Sequence, residues 1–344
     1  MSPSTVRPPA GQAVPVIGPV APVEPSGRPF WSVMVPSYNA PDLLARTLES
    51  VLAQDPGDRA MQIEVVDDAS EGSDVEKVVD RIGGGRVGLH VQPVNVGASA
   101  NFTECVRRSL GTWVHILHSD DVVLPGFYER YGAQIGACPD AVMVAGRTVD
   151  VDGEERRLGL TPEVSVAEGY LRDPVFTIIA RNPLRFVSTV VSRRAFETVG
   201  GFHPELFHAC DWEMWARLAA SGPVGWVDEA LGMYRNHNHS DSRRLHHSTA
   251  YLDDCLHAVQ VMAGRLPPPR RRAAVRAGSR DVAGYALHVG RELVDTGEFQ
   301  LALANAVRAV RMDPSAATVG RAATVARAAA AGGLFRVVST AATA

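Results

Sequence analysis

The chain has 344 residues, of which 46% are hydrophobic and 21% charged, and its formal net charge is −4. Such a composition supports a sizeable core in about two domains, or in one large domain with an appendage, and excludes a chain disordered throughout. The charge excludes a global attraction to polyanions, so no nucleic-acid partner is expected.

Residues 1–29 are rich in proline and have no periodicity, which predicts a disordered or extended leader. Folding is expected to start near Phe30. A strand over residues 31–36 ends in the turn Pro36-Ser37-Tyr38-Asn39. Pro41 and Asp42 then open a helix with Leu43, Leu44, Leu48, Val51 and Leu52 at helical spacing. A second strand over residues 61–66 runs into Asp67-Asp68, and an acidic helix follows over residues 74–82. Gly83-Gly84-Gly85 comes after a helix instead of a strand and so reads as a turn, not a dinucleotide loop. A short strand over residues 87–91 leads through Asn95-Val96-Gly97 into a helix ending near Gly111. An apolar strand over residues 112–117 then stops abruptly at Asp120-Asp121, before a loop closed by Pro125. Strands alternating with helices at this spacing predict βαβ units and a mostly parallel sheet.

After the acidic pair the pattern loosens. Strands are expected over residues 142–149, 186–191 and 224–227, with one helix over residues 166–180 and another over residues 211–220. From about Leu245 the strand signals vanish and helical patterns take over, with a break at Leu266-Pro267-Pro268-Pro269. Residues 296–314 resemble one helix of a tetratricopeptide repeat, and a single partial copy predicts a helical add-on, not a solenoid. From Arg265 onward there are twelve arginines and five acids. That excess reads as solvated helix faces, with peripheral membrane contact or self-association through these helices as the alternative. The expected organisation is a leader at 1–29, an α/β domain at 30–245 and a helical region at 246–344.

Cys105, Cys138, Cys210 and Cys255 lie far apart without a CxxC pair, which argues against a disulfide framework or a cysteine zinc site. A reducing, cytoplasmic location is expected, with membrane association as the alternative to a fully soluble state. No signal-peptide pattern stands at the N-terminus, and no apolar run reaches the about eighteen residues of a membrane span.

Five clusters carry chemistry. Tyr38 could stack on a flat base and Asn39 hydrogen-bond it, or the segment is an ordinary turn. An aspartate of the pair Asp67-Asp68 could accept a hydrogen bond from a pyrimidine imide, or cap the following turn. Asn95, Gly97 and Asn101 open a helix whose small residues let backbone N–H groups approach an anion, although an asparagine helix cap has the same look. Asp120-Asp121 at a strand end invites a divalent cation, or is a solvated turn. Asp211 and Glu213 begin a helix whose Trp212, Trp215 and Leu218 face inward. A carboxylate there is a candidate general base, or a partner of the helix dipole.

In this order the segments PSYN, VVDDAS, NVGASAN, SDDVVLP, GGFHPE and CDWEMWARLA resemble those of family 2 glycosyltransferases, from about Phe30 to Ser242. The resemblance implies a GT-A fold, a Rossmann-like mixed sheet, followed here by an α-helical C-terminal extension. It implies that Pro36, Tyr38, Asn39, Asp67 and Asp68 hold a nucleoside and that Asn95, Gly97 and Asn101 line the donor site. Asp120 and Asp121 match the family's metal motif for Mn²⁺ or Mg²⁺, with Asp121 the expected direct ligand, and Asp211 matches the catalytic base. Tyr234-Arg235-Asn236-His237 resembles a further family segment, with Arg235 on the diphosphate and His237 at the metal or donor. With His239, His246 and His247, His237 also admits a zinc reading. The sequence departs from the family pattern in two places: His118 stands where many members have a third acid, and Cys210 where many have Glu before the catalytic Asp.

The implied activity is metal-dependent, inverting transfer of a sugar from a nucleotide-diphosphate sugar, with a UDP-sugar expected, to a hydroxyl acceptor. That acceptor is a glycan, a lipid-linked molecule or a small molecule. The alternative is a non-catalytic nucleotide-sugar-binding or interaction protein on the same fold.

Overall fold

A computed structural model describes residues 19–24, 26–72, 74–237 and 244–342, with side chains up to residue 332. The first part of the chain forms β1 (Trp31–Ser37), α1 (Pro41–Leu52), β2 (Met61–Asp67), α2 (Val75–Gly83), β3 (Gly88–Val91), α3 (Ala98–Arg108) and β4 (Trp113–Ile116). The middle part forms β5 (Val122–Val123), α4 (Phe127–Ala137), β6 (Met143–Val151), β7 (Arg157–Leu160), β8 (Val166–Ala167), β9 (Tyr170–Leu171), α5 (Pro174–Ala180), β10 (Thr189–Ser192), α6 (Arg193–Val199), α7 (Cys210–Ala219) and β11 (Val224–Arg235). Four long helices follow: α8 (Ala250–Ala263), α9 (Pro268–Asp295), α10 (Phe299–Met312) and α11 (Ala316–Ala342).

The described strands form one mixed sheet in the order β3-β2-β1-β4-β10-β6-β11-β9-β8, with β5 added to β11 and β7 to β6. From β3 to β4 every pairing is parallel, as the βαβ pattern requires. Alternate residues of these strands face opposite ways. Val33, Val35, Ile63 and Val65 pack with Leu44 and Leu48 of α1 and Val78 of α2, whereas Met34, Val66 and Val114 pack with Phe102 and Cys105 of α3. β10 runs antiparallel between β4 and β6, so the sheet beyond β4 is mixed.

The GT-A-type mixed sheet and the helical C-terminal region are those expected, but several local elements differ. The helix expected over residues 166–180 is a β8–β9 hairpin followed by the short α5. Glu168, Gly169 and Asp173 all have positive φ, which a continuous helix does not permit. The strand expected over residues 186–191 begins as a 3-10 turn, Phe186–Ser188. β11 extends to Arg235 through an irregularity between Val227 and Gly232. Sequence patterning gave no sign of α4, α6, β5 or β7. The expected leader also changes character: Val20 is buried in the core, and Arg28 donates to the carbonyls of Val23, Leu110 and Gly111. Residues 1–18 lie outside the described residues.

The C-terminal helices share a hydrophobic core with the sheet. One continuous cluster joins Met34, Phe102, Trp212 and Trp215 to Tyr251, Val259, Leu287 and Val325. Gly278 permits one close approach between them. A Cβ there would stand 2.8 Å from the Ile179 carbonyl oxygen and 2.9 Å from Val259, so α9 seats backbone-tight on α5 and α8. No described helix is long and apolar enough to cross a membrane.

Candidate active site

A cleft of about 1440 Å³ opens at the carboxyl ends of β1, β2 and β4, where parallel α/β sheets bind ligands. Pro36, Tyr38, Asn39, Asp68, Asn95, Gly97, Asn101, Asp120, Asp121, Asp211, Arg235 and His237 all line it. Asp67 is the one predicted donor-site residue outside that lining. Its carboxylate instead accepts from the Ser70 backbone N–H at 2.9 Å and the Ser70 hydroxyl at 2.6 Å, closing the turn after β2.

Asp68 faces the cleft from the same turn. Its two carboxylate oxygens accept backbone N–H bonds from Val96 at 2.8 Å and Gly97 at 2.9 Å, which ties β2 to the start of α3. Gly97 has φ +85°, a left-handed conformation that favours glycine, and this orients its N–H toward Asp68. Asn95 donates to the Asp68 carbonyl and Asn101 to the Val66 carbonyl, so both amides brace this wall of the cleft. Asn39, also at positive φ, accepts from the Glu71 N–H and so links the first turn to the second.

The acidic pair is placed by β5. Its two residues pair with Gly232 and Met233 of β11, which brings Asp120-Asp121 beside Arg235. The Arg235 N–H donates to Asp121 Oδ1 at 3.0 Å. Its guanidinium binds the Asp120 carbonyl, the Gly153 carbonyl and the Glu155 carboxylate, the last at 2.8 Å. Arg235 therefore braces the acidic loop while it lines the cleft. His237 Nε2 lies 3.0 Å from Asp120 Oδ2. The His237 hydrogen bond, with the His118 and His237 charges, outweighs the cost of burial and holds the Asp120 carboxyl below its usual pKa. Burial and the Asp120 charge push Asp121 well above its usual value.

Asp121 Oδ2 is buried and has no hydrogen-bond partner. His118, Asp120 and Asp121 each offer a ligand atom within 4.8 Å of the others. A buried carboxylate oxygen without a donor, beside a second carboxylate and an imidazole, is a donor set that suits a divalent cation. His118 thus occupies the place of the missing third acid with another ligand type. Its ring is held between Phe102, at 5.1 Å, and Phe186, at 4.4 Å. Among the histidines of the zinc reading, His246 Nε2 lies 2.8 Å from the Tyr285 hydroxyl and His239 lies outside the described residues.

Asp211 lines the same cleft from the start of α7. One oxygen accepts from the Trp212 N–H at 2.6 Å and the other from Asn182 at 3.4 Å. Burial outweighs these bonds and raises its pKa to about 6. Glu213, the other acid of the first turn, is fully buried in ion pairs with Arg217 and Arg265 and serves the fold. The loop before α7 is clasped from the C-terminal region: Asp254 of α8 accepts from the N–H groups of Phe207, His208 and Ala209 at 3.3, 2.9 and 2.8 Å.

Residues 32–193 match the model of glycosyl transferase family 2. The chain is a glycosyltransferase, similar over that segment to family 2. The glycosyltransferase is 25% identical over 231 residues to an uncharacterized protein of Mycobacterium tuberculosis, covering 63% of this chain and 70% of that one. It is 21% identical over 221 residues to an uncharacterized glycosyltransferase of Rickettsia felis, covering 63% of this chain and 36% of that one. Its fold is similar to that of Staphylococcus aureus TarS 1–349 in complex with UDP-GlcNAc, with TM-score 0.60, 16% identity, and 88% of this chain and 92% of that chain covered. It is also similar to the mannosyltransferase PcManGT of Pyrobaculum calidifontis in complex with GDP-Man and Mn²⁺, with TM-score 0.50, 17% identity, and 95% and 91% covered.

Sequence reading missed Arg185. It lies in the cleft lining, over the Tyr234 ring at 5.3 Å, and its charge counters the upward pKa shifts of Asp121, Asp150, Asp211 and Asp281. The segment Asn182-Pro183-Leu184-Arg185 carries no motif, and only the fold brings this guanidinium among the acids. The glycosyltransferase also draws Asp281, Tyr285 and His288 of α9 into the cleft wall, from a region that sequence patterning gave no chemistry.

Proposed function

We propose that this glycosyltransferase is metal-dependent and inverting, and moves a sugar from a nucleotide-diphosphate donor, a UDP-sugar above all, to a hydroxyl acceptor. The observation that carries the reading is a pair of unlike carboxylates lining one cleft. Asp121 presents a buried oxygen without a donor, and Asp211 is a half-buried carboxyl with a pKa of about 6.

The donor's nucleoside lies along the wall of Tyr38, Asn39, Asp68 and Asn95. Asp121 and Asp120, with His118 beside them, would hold Mn²⁺ or Mg²⁺ at the diphosphate, and His237 orients Asp120. The cation would supply Lewis-acid stabilisation of charge on the departing diphosphate. Arg185, rather than Arg235, is the guanidinium placed to share that charge. In the transfer step the acceptor oxygen forms a bond to the anomeric carbon as the bond from that carbon to the diphosphate oxygen breaks. The hydroxyl proton passes to Asp211, and one displacement inverts the centre. A pKa near 6 leaves Asp211 ionised at neutral pH yet basic enough to accept a proton.

The TarS complex with UDP-GlcNAc and the mannosyltransferase complex with GDP-Man and Mn²⁺ support the donor class and the cation. Release of UDP or GDP from these two sugar nucleotides, measured with and without Mn²⁺, tests the proposal. Asp211→Asn keeps the shape and the Trp212 contact, and should lower turnover about 10²- to 10⁴-fold. Turnover at the wild-type level in this variant would remove Asp211 as the base.

A further inference from the structure

The cleft is larger than a donor alone requires. Its volume of about 1440 Å³ exceeds the roughly 300–1,000 Å³ usual for one small-molecule site, and its lining extends onto the C-terminal helical region. There α9 turns one face to the cleft, with Asp281, Tyr285 and His288 spaced at helical intervals of four and three. Phe207, on the loop before α7, also lines the cleft. It remains 43% exposed, which leaves part of its ring open to a ligand.

Each of these groups is held by the surrounding structure. The Tyr285 ring stacks at 5.8 Å on His208, and the Tyr285 hydroxyl is bonded to His246. Phe207 and His208 are fixed through their backbone N–H groups by Asp254. Asp281 is half-buried and accepts no hydrogen bond from the described residues. Burial raises its pKa to about 6 against the charges of Arg181 and Arg185. The wall therefore combines an exposed aromatic face, a phenol and a carboxylate with unused acceptor capacity. Together these suit a ring that is apolar on its C–H face and bears hydroxyls at its edge.

Resting on the proposed transferase activity, we propose that helix α9 and Phe207 form the acceptor subsite, that this subsite takes a sugar-type acceptor, and that Asp281 holds one of its hydroxyls. In this arrangement Phe207 stacks on the acceptor ring. Asp281 fixes the ring's rotation, so that the reacting hydroxyl faces Asp211 from the side opposite the diphosphate. The helical region then belongs to the reaction and selects what is glycosylated.

The experiment measures UDP release from UDP-GlcNAc with Mn²⁺, with and without added methyl α- or β-glucosides and galactosides as acceptor probes. The quantity read is the ratio of glycoside-supported to glycoside-free release. Wild type should show a ratio well above one. Asp281→Asn and Phe207→Ala should each lower the supported part about tenfold through a higher KM for the glycoside, and Asp281→Glu should restore much of it. A variant that merely disturbs folding would lower both terms and leave the ratio in place, and that result would overturn the assignment. Wild-type KM values in both variants would also overturn it, as would a wild-type ratio of one with every glycoside. An enzyme that cleaves neither UDP-GlcNAc nor GDP-Man would instead remove the donor chemistry on which the subsite rests.

Discussion

The two walls of the cleft are built by different means. The wall proposed to hold the donor comes from the parallel half of the sheet, where β1, β2 and β4 end side by side and each delivers its polar residues at its own carboxyl end. The facing wall comes from chain that is distant in sequence: Arg185 before β10, Asp211 at the start of α7, and Asp281 on α9, held over the sheet by a common core. A repeating supersecondary unit writes its site into short motifs. A wall gathered by tertiary packing leaves isolated residues with ordinary neighbours.

The largest test of this contrast removes the gathered wall. A chain ended after Leu266 loses Val282, Leu287, Val289 and Leu293 from the shared core, at about 1.5–3 kcal/mol each. That sum rivals the whole stability of a typical domain, about 5–15 kcal/mol. The truncated protein should therefore be insoluble or lack a cooperative thermal transition. A folded, donor-binding product would show that the helices are an accessory. On the donor wall, Asp121→Asn should leave the fold intact but abolish the stabilisation that Mn²⁺ with UDP confers in a thermal-shift assay, with turnover lower by about 10²- to 10³-fold.

Next in size is the pH response of the facing wall. Burial raises the Asp211 pKa to about 6, and transfer needs the carboxylate, so kcat should be flat above that value. Below it, kcat should fall about tenfold per pH unit. Asp211→Asn should flatten this limb, and an unchanged profile in the variant would assign the titration to another group. The smallest effect is expected for Arg185→Gln, which removes one of several charges near the diphosphate. It should raise the donor KM about tenfold with a lesser change in kcat. A variant with the wild-type donor KM would return the diphosphate contact to other residues.

Legibility in the sequence followed the same division. The βαβ order, the strand ends and the polar turns at Tyr38-Asn39, Asp68 and Asp120-Asp121 could be read because period and punctuation coincide there. Individual roles within those motifs could not. Asp67 and Asp68 are adjacent and chemically identical, yet one closes a turn on Ser70 and the other faces the cleft, a difference that no local sequence signal marks. Arg235 was visible as a cation near the site, but its task of bracing Asp120, Asp121 and Glu155 depends on the β5–β11 pairing of two residues, too short to show a period. The helix expected over residues 166–180 failed because apolar spacing there gave no warning of the turn at Glu168-Gly169. α9 reads as an alanine- and arginine-rich solvated helix, and its cleft-facing residues acquire meaning only from what α5 and α8 bring beside them.

The three amide bonds from residues 207–209 to Asp254 carry a consequence for how such proteins can vary. Those N–H groups stand immediately before the helix that aims Asp211, and the anion that receives them belongs to the first of the long C-terminal helices. A chimera that fits another helical region to this sheet would leave the three donors without their carboxylate and let the loop drift. On the proposed reading, acceptor choice and the aim of Asp211 are coupled, and an exchanged extension would need an acid at the position of Asp254.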